Sequence, residues 1–199
     1  RLSAQGYGYT RGVGLFVARR RVDSRCGLHF PDSREELAWI SLCQGVGAGP
    51  RAYAAGGFGL ARLDGEGSRL ESSYFAQGAG YWRGLGAMFV HGPSHYLQAR
   101  RYSQGTGVHV AVGALSMRRH GIETATWGVG PAFGWDYGVG YLDAEGLGQR
   151  LRSDWATGRG ELNSRSFVRI AGQDAQLSLH GFGSALYQPG APSYAPQFG

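Results

Sequence analysis

Apolar residues and glycines alternate along much of this chain with a period of two, the spacing at which side chains share one face of a β-strand. Over residues 4–18, Tyr7, Tyr9, Val13, Leu15 and Val17 fall on one side, and Gly6, Gly8, Gly12 and Gly14 on the other. Over 124–143 the pattern groups Trp127, Val129, Phe133, Trp135, Tyr137, Val139 and Tyr141 opposite a side dominated by glycine, with Pro131 placed to bulge or split the strand. Segment 69–91 gathers Tyr74, Ala76, Trp82, Met88 and Val90 on one face, and segment 107–118 gathers Val108, Val110, Val112 and Ala114. Turn signals at DGEG 64–67, HGPS 91–94, SQGTG 103–107, RRHG 118–121, DAEG 143–146, ATGRG 156–160 and AGQD 171–174 separate such runs. The pattern predicts an all-β chain folded as an antiparallel meander.

One stretch breaks the alternation. Ser33 is followed three residues later by Glu36, then by Leu37, Ala38, Ile40 and Leu42 before Gly45, the signature of a capped helix near residues 34–43. The competing reading pairs Leu37 with Trp39 on one strand face. YTRGVGLF at 9–16, YWRGLGAMF at 81–89 and WDYGVGYL at 135–142 resemble one another, but their unequal spacing reads as equivalent strands of one sheet and not as a fixed-period repeat. Residues 1–187 read as a single β-rich domain, and 188–199, rich in proline, as an extended tail.

Composition narrows the class. At 199 residues the chain is long enough for one substantial core, and 36 glycines accompanied by aromatics argue against a Gly/Ser linker. No run of eighteen apolar residues exists, which excludes a membrane-spanning helix but leaves a spanning β-barrel open. The start at Arg1 reads as a removed signal peptide or a trimmed end. Cys26 and Cys43, the only two cysteines, are a candidate disulfide for an oxidising compartment, with no histidine at metal spacing; no metal or cofactor is expected.

The formal charge is +6, and all twenty basic residues are arginine. Arg19, Arg20 and Arg21, then Arg100 and Arg101, then Arg118 and Arg119, fall near the ends of predicted strands, where a planar guanidinium suits contact with anionic headgroups. The histidines His29, His91, His95, His109, His120 and His180 are scattered, and Ser94 between His91 and His95 lacks the acidic third member that a hydrolase needs. The runs GYGYTRG and GVGAGP open no helix with Lys-Ser or Lys-Thr, so they are not phosphate-cradling loops. Nucleic acid is disfavoured as a partner because the aromatics spread along whole strands. No catalytic residue is expected.

Strands such as TWGVGPAFGWDYGVGYLDAEG resemble those of small bacterial outer-membrane β-barrels. The resemblance implies 8–10 antiparallel strands and a structural, adhesive or narrow-pore role in the outer membrane. Trp82, Trp127, Phe133, Trp135, Tyr137 and Tyr141 would then face lipid, and membrane lipid or lipopolysaccharide would be the partner. The rival expectation is an exported, extracellular β-rich protein whose aromatics fill a core and which self-assembles as a homo-oligomer or binds anionic surface glycans or lipids.

Overall fold

A computed structural model describes residues 5–26, 40–50, 55–126, 131–182 and 185–186. Among them every strand pairing is parallel. Each pass of the chain contributes a short strand to a first sheet, such as Gly80–Tyr81, then a longer one to a second, Leu85–Val90, then one to a third, Tyr96–Ala99. The next pass lays its strands beside them in register, so that Val13, Phe58, Leu85, Val112, Val139 and Arg165 are successive neighbours across the second sheet. The first sheet has seven strands, the second and third six each. The step from Leu85 to Val112 and from Val112 to Val139 is 27 residues. Such winding defines a parallel β-solenoid.

This overturns the antiparallel meander, and with it the barrel and its likeness to outer-membrane proteins. Adjacent strands here are joined by an entire coil and not by a hairpin turn, a connection that only parallel pairing allows. The helix expected at 34–43 is also corrected where it can be seen: Ile40–Cys43 is a strand paired with Tyr74–Ala76, and residues 34–39 lie outside the described residues. The tail from 188 onward lies outside them as well.

The glycine alternation is correctly two-faced, but each run folds back on itself. Residues 4–18 are two strands, Gly8–Tyr9 and Val13–Ala18, joined by a corner in which Thr10 and Arg11 take left-handed φ of 39° and 64°. The corner brings the glycine side of the first sheet against the glycine side of the second. A Cβ added at Gly14 would overlap the Tyr7 carbonyl, at Gly86 that of Ala79, and at Gly113 that of Thr106. Glycine is therefore required because two backbones touch there with no side chains between them. The run 124–143 breaks the same way, into Glu123–Thr126, Gly134–Trp135 and Val139–Glu145.

Away from that corner the coil widens and fills with side chains. Leu63, Met88, Leu115 and Leu142 from the second sheet pack against Leu70, Leu97 and Leu151 from the third, with Ile122 between. Entry to three successive short strands, Gly47–Ala48, Gly80–Tyr81 and Gly107–Val108, is marked by a buried Gln-Gly step. Gln44, Gln77 and Gln104 have φ of 62°, 52° and 56°, followed by Gly45, Gly78 and Gly105 near 84°. The Gln104 Nε2 donates to Gln77 Oε1 at 3.0 Å and to the Leu97 carbonyl at 3.1 Å. In turn Gln77 Nε2 donates to the carbonyls of Leu70 and Gln98. Cys26 and Cys43 form a disulfide across a sequence separation of 17, which restricts the unfolded chain by on the order of 3 kcal/mol.

Candidate binding face

Because side chains alternate across each strand, register alone decides what the second sheet shows to solvent. Its outward positions form columns along the solenoid. One column is Val13, Phe58, Leu85, Val112, Val139 and Arg165; the next is Leu15, Leu60, Ala87, Ala114, Tyr141 and Phe167. Eleven of these twelve are apolar, and several stand well clear of neighbours, with Val13 68%, Leu15 64% and Phe167 50% exposed. Exposed Tyr9, Val110 and Tyr137 extend the apolar strip around the corner toward the first sheet.

The outward side of the third sheet is the opposite in character. Arg25 and Arg69 both pair with Glu71, at 2.7 and 2.6 Å, and Arg69 stacks 4.4 Å over the Tyr96 ring. Those arginines, the Arg69 hydrogen bond foremost, hold the Glu71 carboxyl below its ordinary range.

The outward side of the first sheet is neither apolar plate nor charged surface but a second, smaller core. Val46, Ala48, Ala79, Val108 and Phe133 are buried there beneath Phe75, Tyr81, Tyr102 and Trp135. The Phe75 and Tyr102 rings stack at 5.2 Å. His109, itself buried, lies 4.8 Å from the Trp135 ring centroid, contacts Tyr81 and Trp82 edge-on, and has Nδ1 2.6 Å from Asp136 Oδ2.

The aromatic residues picked out by sequence are thus divided. Phe133 and Trp135 belong to the small core, Trp82 touches His109 edge-on, Tyr137 is exposed at the corner, Tyr141 lies on the apolar plate, and Trp127 is outside the described residues. The arginines divide too. Arg19, Arg20, Arg118 and Arg119 share the turn that leads from the second sheet to the third, and Arg21 there pairs with Asp23. Arg100 and Arg101 lie at the far end of the third sheet, Arg101 with its guanidinium carbon 5.3 Å from the Tyr102 ring centroid. Arg118 and Arg169 both bind Asp143, which is 1% exposed, and both reach Glu145.

Three arginines missed by the sequence reading, Arg11, Arg83 and Arg165, line the opposite border of the plate. The signal was available: Arg11 and Arg83 occupy the same place in the similar stretches YTRGVGLF and YWRGLGAMF.

His95 is buried and accepts the Ser68 amide on Nδ1, and burial pushes its pKa down; Ser94 is exposed and takes no part in that contact. Among the described residues no group of three or more His, Cys, Asp or Glu is arranged to hold a metal. Comparison with known protein families, curated proteins and solved structures yields no match, so the geometry of the chain's own residues carries the functional argument.

Proposed function

We propose that this chain is a non-enzymatic, exported β-solenoid that docks on a membrane surface through its second sheet, lying on the bilayer and not crossing it. The observation that carries the reading is the pair of outward columns, eleven of their twelve residues apolar, continuous along the solenoid and exposed at Val13, Leu15, Leu85, Val112 and Phe167, with Ala87 alone among them buried. Six strands about 4.8 Å apart and two columns about 7 Å apart make a plate of roughly 400 Å², a size at which the largest apolar patch of a soluble protein is often functional. It is about half the ~800 Å² per partner typical of a stable protein pair, which favours a lipid surface over a second copy. Amphipathic surfaces of this kind bind at the boundary between headgroup and acyl chain. The Cys26–Cys43 disulfide supports an oxidising, extracytoplasmic setting.

The double variant Leu15→Glu with Ala114→Glu places two carboxylates on the plate at outward positions, where neither disturbs the core. It is expected to keep the wild-type melting curve and to bind vesicles of equal phosphatidylcholine and phosphatidylglycerol roughly thirtyfold more weakly in co-sedimentation, given the loss of apolar burial. Gln98→Glu on the third sheet is expected to bind as wild type. Wild-type protein that stays in the supernatant at millimolar lipid, or a double variant that binds undiminished, would rule the reading out.

A further inference from the structure

We infer that the surface the plate meets is anionic and bears phosphate, and that two lines of arginine bordering the plate hold it. The inference rests on the docking reading above and adds the chemistry of the partner. On the border nearest the first sheet, Arg11 and Arg83 occupy the second position of left-handed corners, Thr10–Arg11 at 39° and 64° and Trp82–Arg83 at 41° and 58°. Each precedes by two residues the apolar column that begins with Val13 in one coil and holds Leu85 in another. Arg165 stands in that column itself, in the last of the six coils. On the opposite border Arg19 and Arg20 follow Val13–Ala18, and Arg119 lies three coils further along, after Met117 in the stack that begins at Ala18.

These six are exposed, and among the described residues none has a carboxylate partner; Arg119 donates only to the His91 carbonyl. The other arginines that reach the plate's rim are neutralised: Arg62 by Asp64, and Arg118 and Arg169 by Asp143 and Glu145. Among the described residues Arg150 and Arg152, on the third sheet, also make no salt bridge, with Glu123 the cross-strand neighbour of Arg150, and they face away from the plate.

Unpaired charge on both long sides of an apolar strip matches one occupant better than others. A second copy would bring arginine borders against arginine borders. A zwitterionic surface would leave the guanidinium groups without a counter-charge. A phosphate-bearing anionic bilayer takes the apolar columns among its acyl chains while each guanidinium fork grips phosphate oxygens and its methylene stem stays in the apolar layer. At about 3.3 Å per residue, Arg11 and Arg19 are some 25 Å apart, so the borders contact separate lipids and fix the solenoid axis in the plane of the membrane.

The test compares wild type, the triple variant Arg11→Gln/Arg83→Gln/Arg165→Gln and the Leu15→Glu/Ala114→Glu variant. Each is titrated with pure phosphatidylcholine vesicles and with equal phosphatidylcholine and phosphatidylglycerol, and soluble polyphosphate serves as competitor. Near a charged surface each arginine contributes roughly a fivefold gain, so the triple variant is expected to lose on the order of a hundredfold on anionic vesicles, with no change on neutral ones. Wild-type binding is expected to weaken with added salt. If wild type does not distinguish the two vesicles, or the triple variant binds anionic ones as tightly, the inference fails while docking through the plate survives. If the Leu15→Glu/Ala114→Glu variant still binds, the docking reading fails first. Polyphosphate that binds wild type and the Leu15→Glu/Ala114→Glu variant equally, and more tightly than anionic vesicles bind wild type, would overturn the inference in favour of a soluble polyanion.

Discussion

Gly113→Val is expected to abolish the cooperative thermal transition of this solenoid, or to lower its stability by at least about 3 kcal/mol, the upper range for overpacking. The added side chain would overlap the Thr106 carbonyl and approach its amide, in the residue that leads into Gly107–Val108, a strand held on each side by neighbouring coils. Neither backbone can retreat, because the first and second sheets contact each other directly along the whole stack. Gly148→Ala is the matched control. Nothing lies within 4 Å of a Cβ there, so only the left-handed φ of 67° opposes it, a cost of about 1 kcal/mol. Equal losses for the two variants, read by thermal denaturation followed by circular dichroism, would show that the backbone contact is not what demands glycine.

The second large effect is expected at the buried glutamines. Gln77→Ala removes a side chain that donates to two carbonyls and accepts from Gln104, all within the core, and should cost about 3 kcal/mol. Gln104→Ala should cost a similar amount, and the double variant should cost about 1 kcal/mol less than the sum, because the two amides are bonded to each other. Gln44 provides the contrast. It occupies the same step in an earlier coil, yet among the described residues neither polar atom of its side chain has a hydrogen-bond partner, so Gln44→Met should be nearly neutral or stabilising. Chemical denaturation of these four variants checks the pattern. A loss at Gln44 as large as at Gln77 would contradict the ladder.

The strand period was legible in the sequence, and so was the division of each run into an apolar and a glycine side. What periodicity cannot report is where a run folds over, because a corner of two left-handed residues preserves the alternation while reversing the chain. Thr10–Arg11 and Asp136–Tyr137 are such corners, and neither contains the glycine that usually announces one.

The coil length was hidden by two local departures. YWRGLGAMF and WDYGVGYL stand fifty-four residues apart, two coils, but the copy between them carries Ala111 where Gly84 and Gly138 stand, and it escapes a search for glycine. The interval from Val13 to Phe58 is 45 residues instead of 27, because insertions interrupt that coil, so the first copy falls out of step. The Gln-Gly steps at 5–6, 44–45, 77–78 and 104–105 were overlooked because glutamine is not counted among core residues. The apolar plate was half legible. The run holding Val13, Leu15 and Val17 was recognised as one face, but only parallel register places Leu85, Val112 and Tyr141 alongside it.

Attachment of an environment-sensitive fluorophore to single cysteines, introduced in turn at Ala114 on the plate and at Gln98 on the third sheet, tests the docking account most directly. On anionic vesicles the label at 114 should shift to the blue and become quenchable by lipids brominated in the acyl chains, while the label at 98 should keep its aqueous spectrum. Equal responses at both positions, or a response at 98 alone, would contradict it.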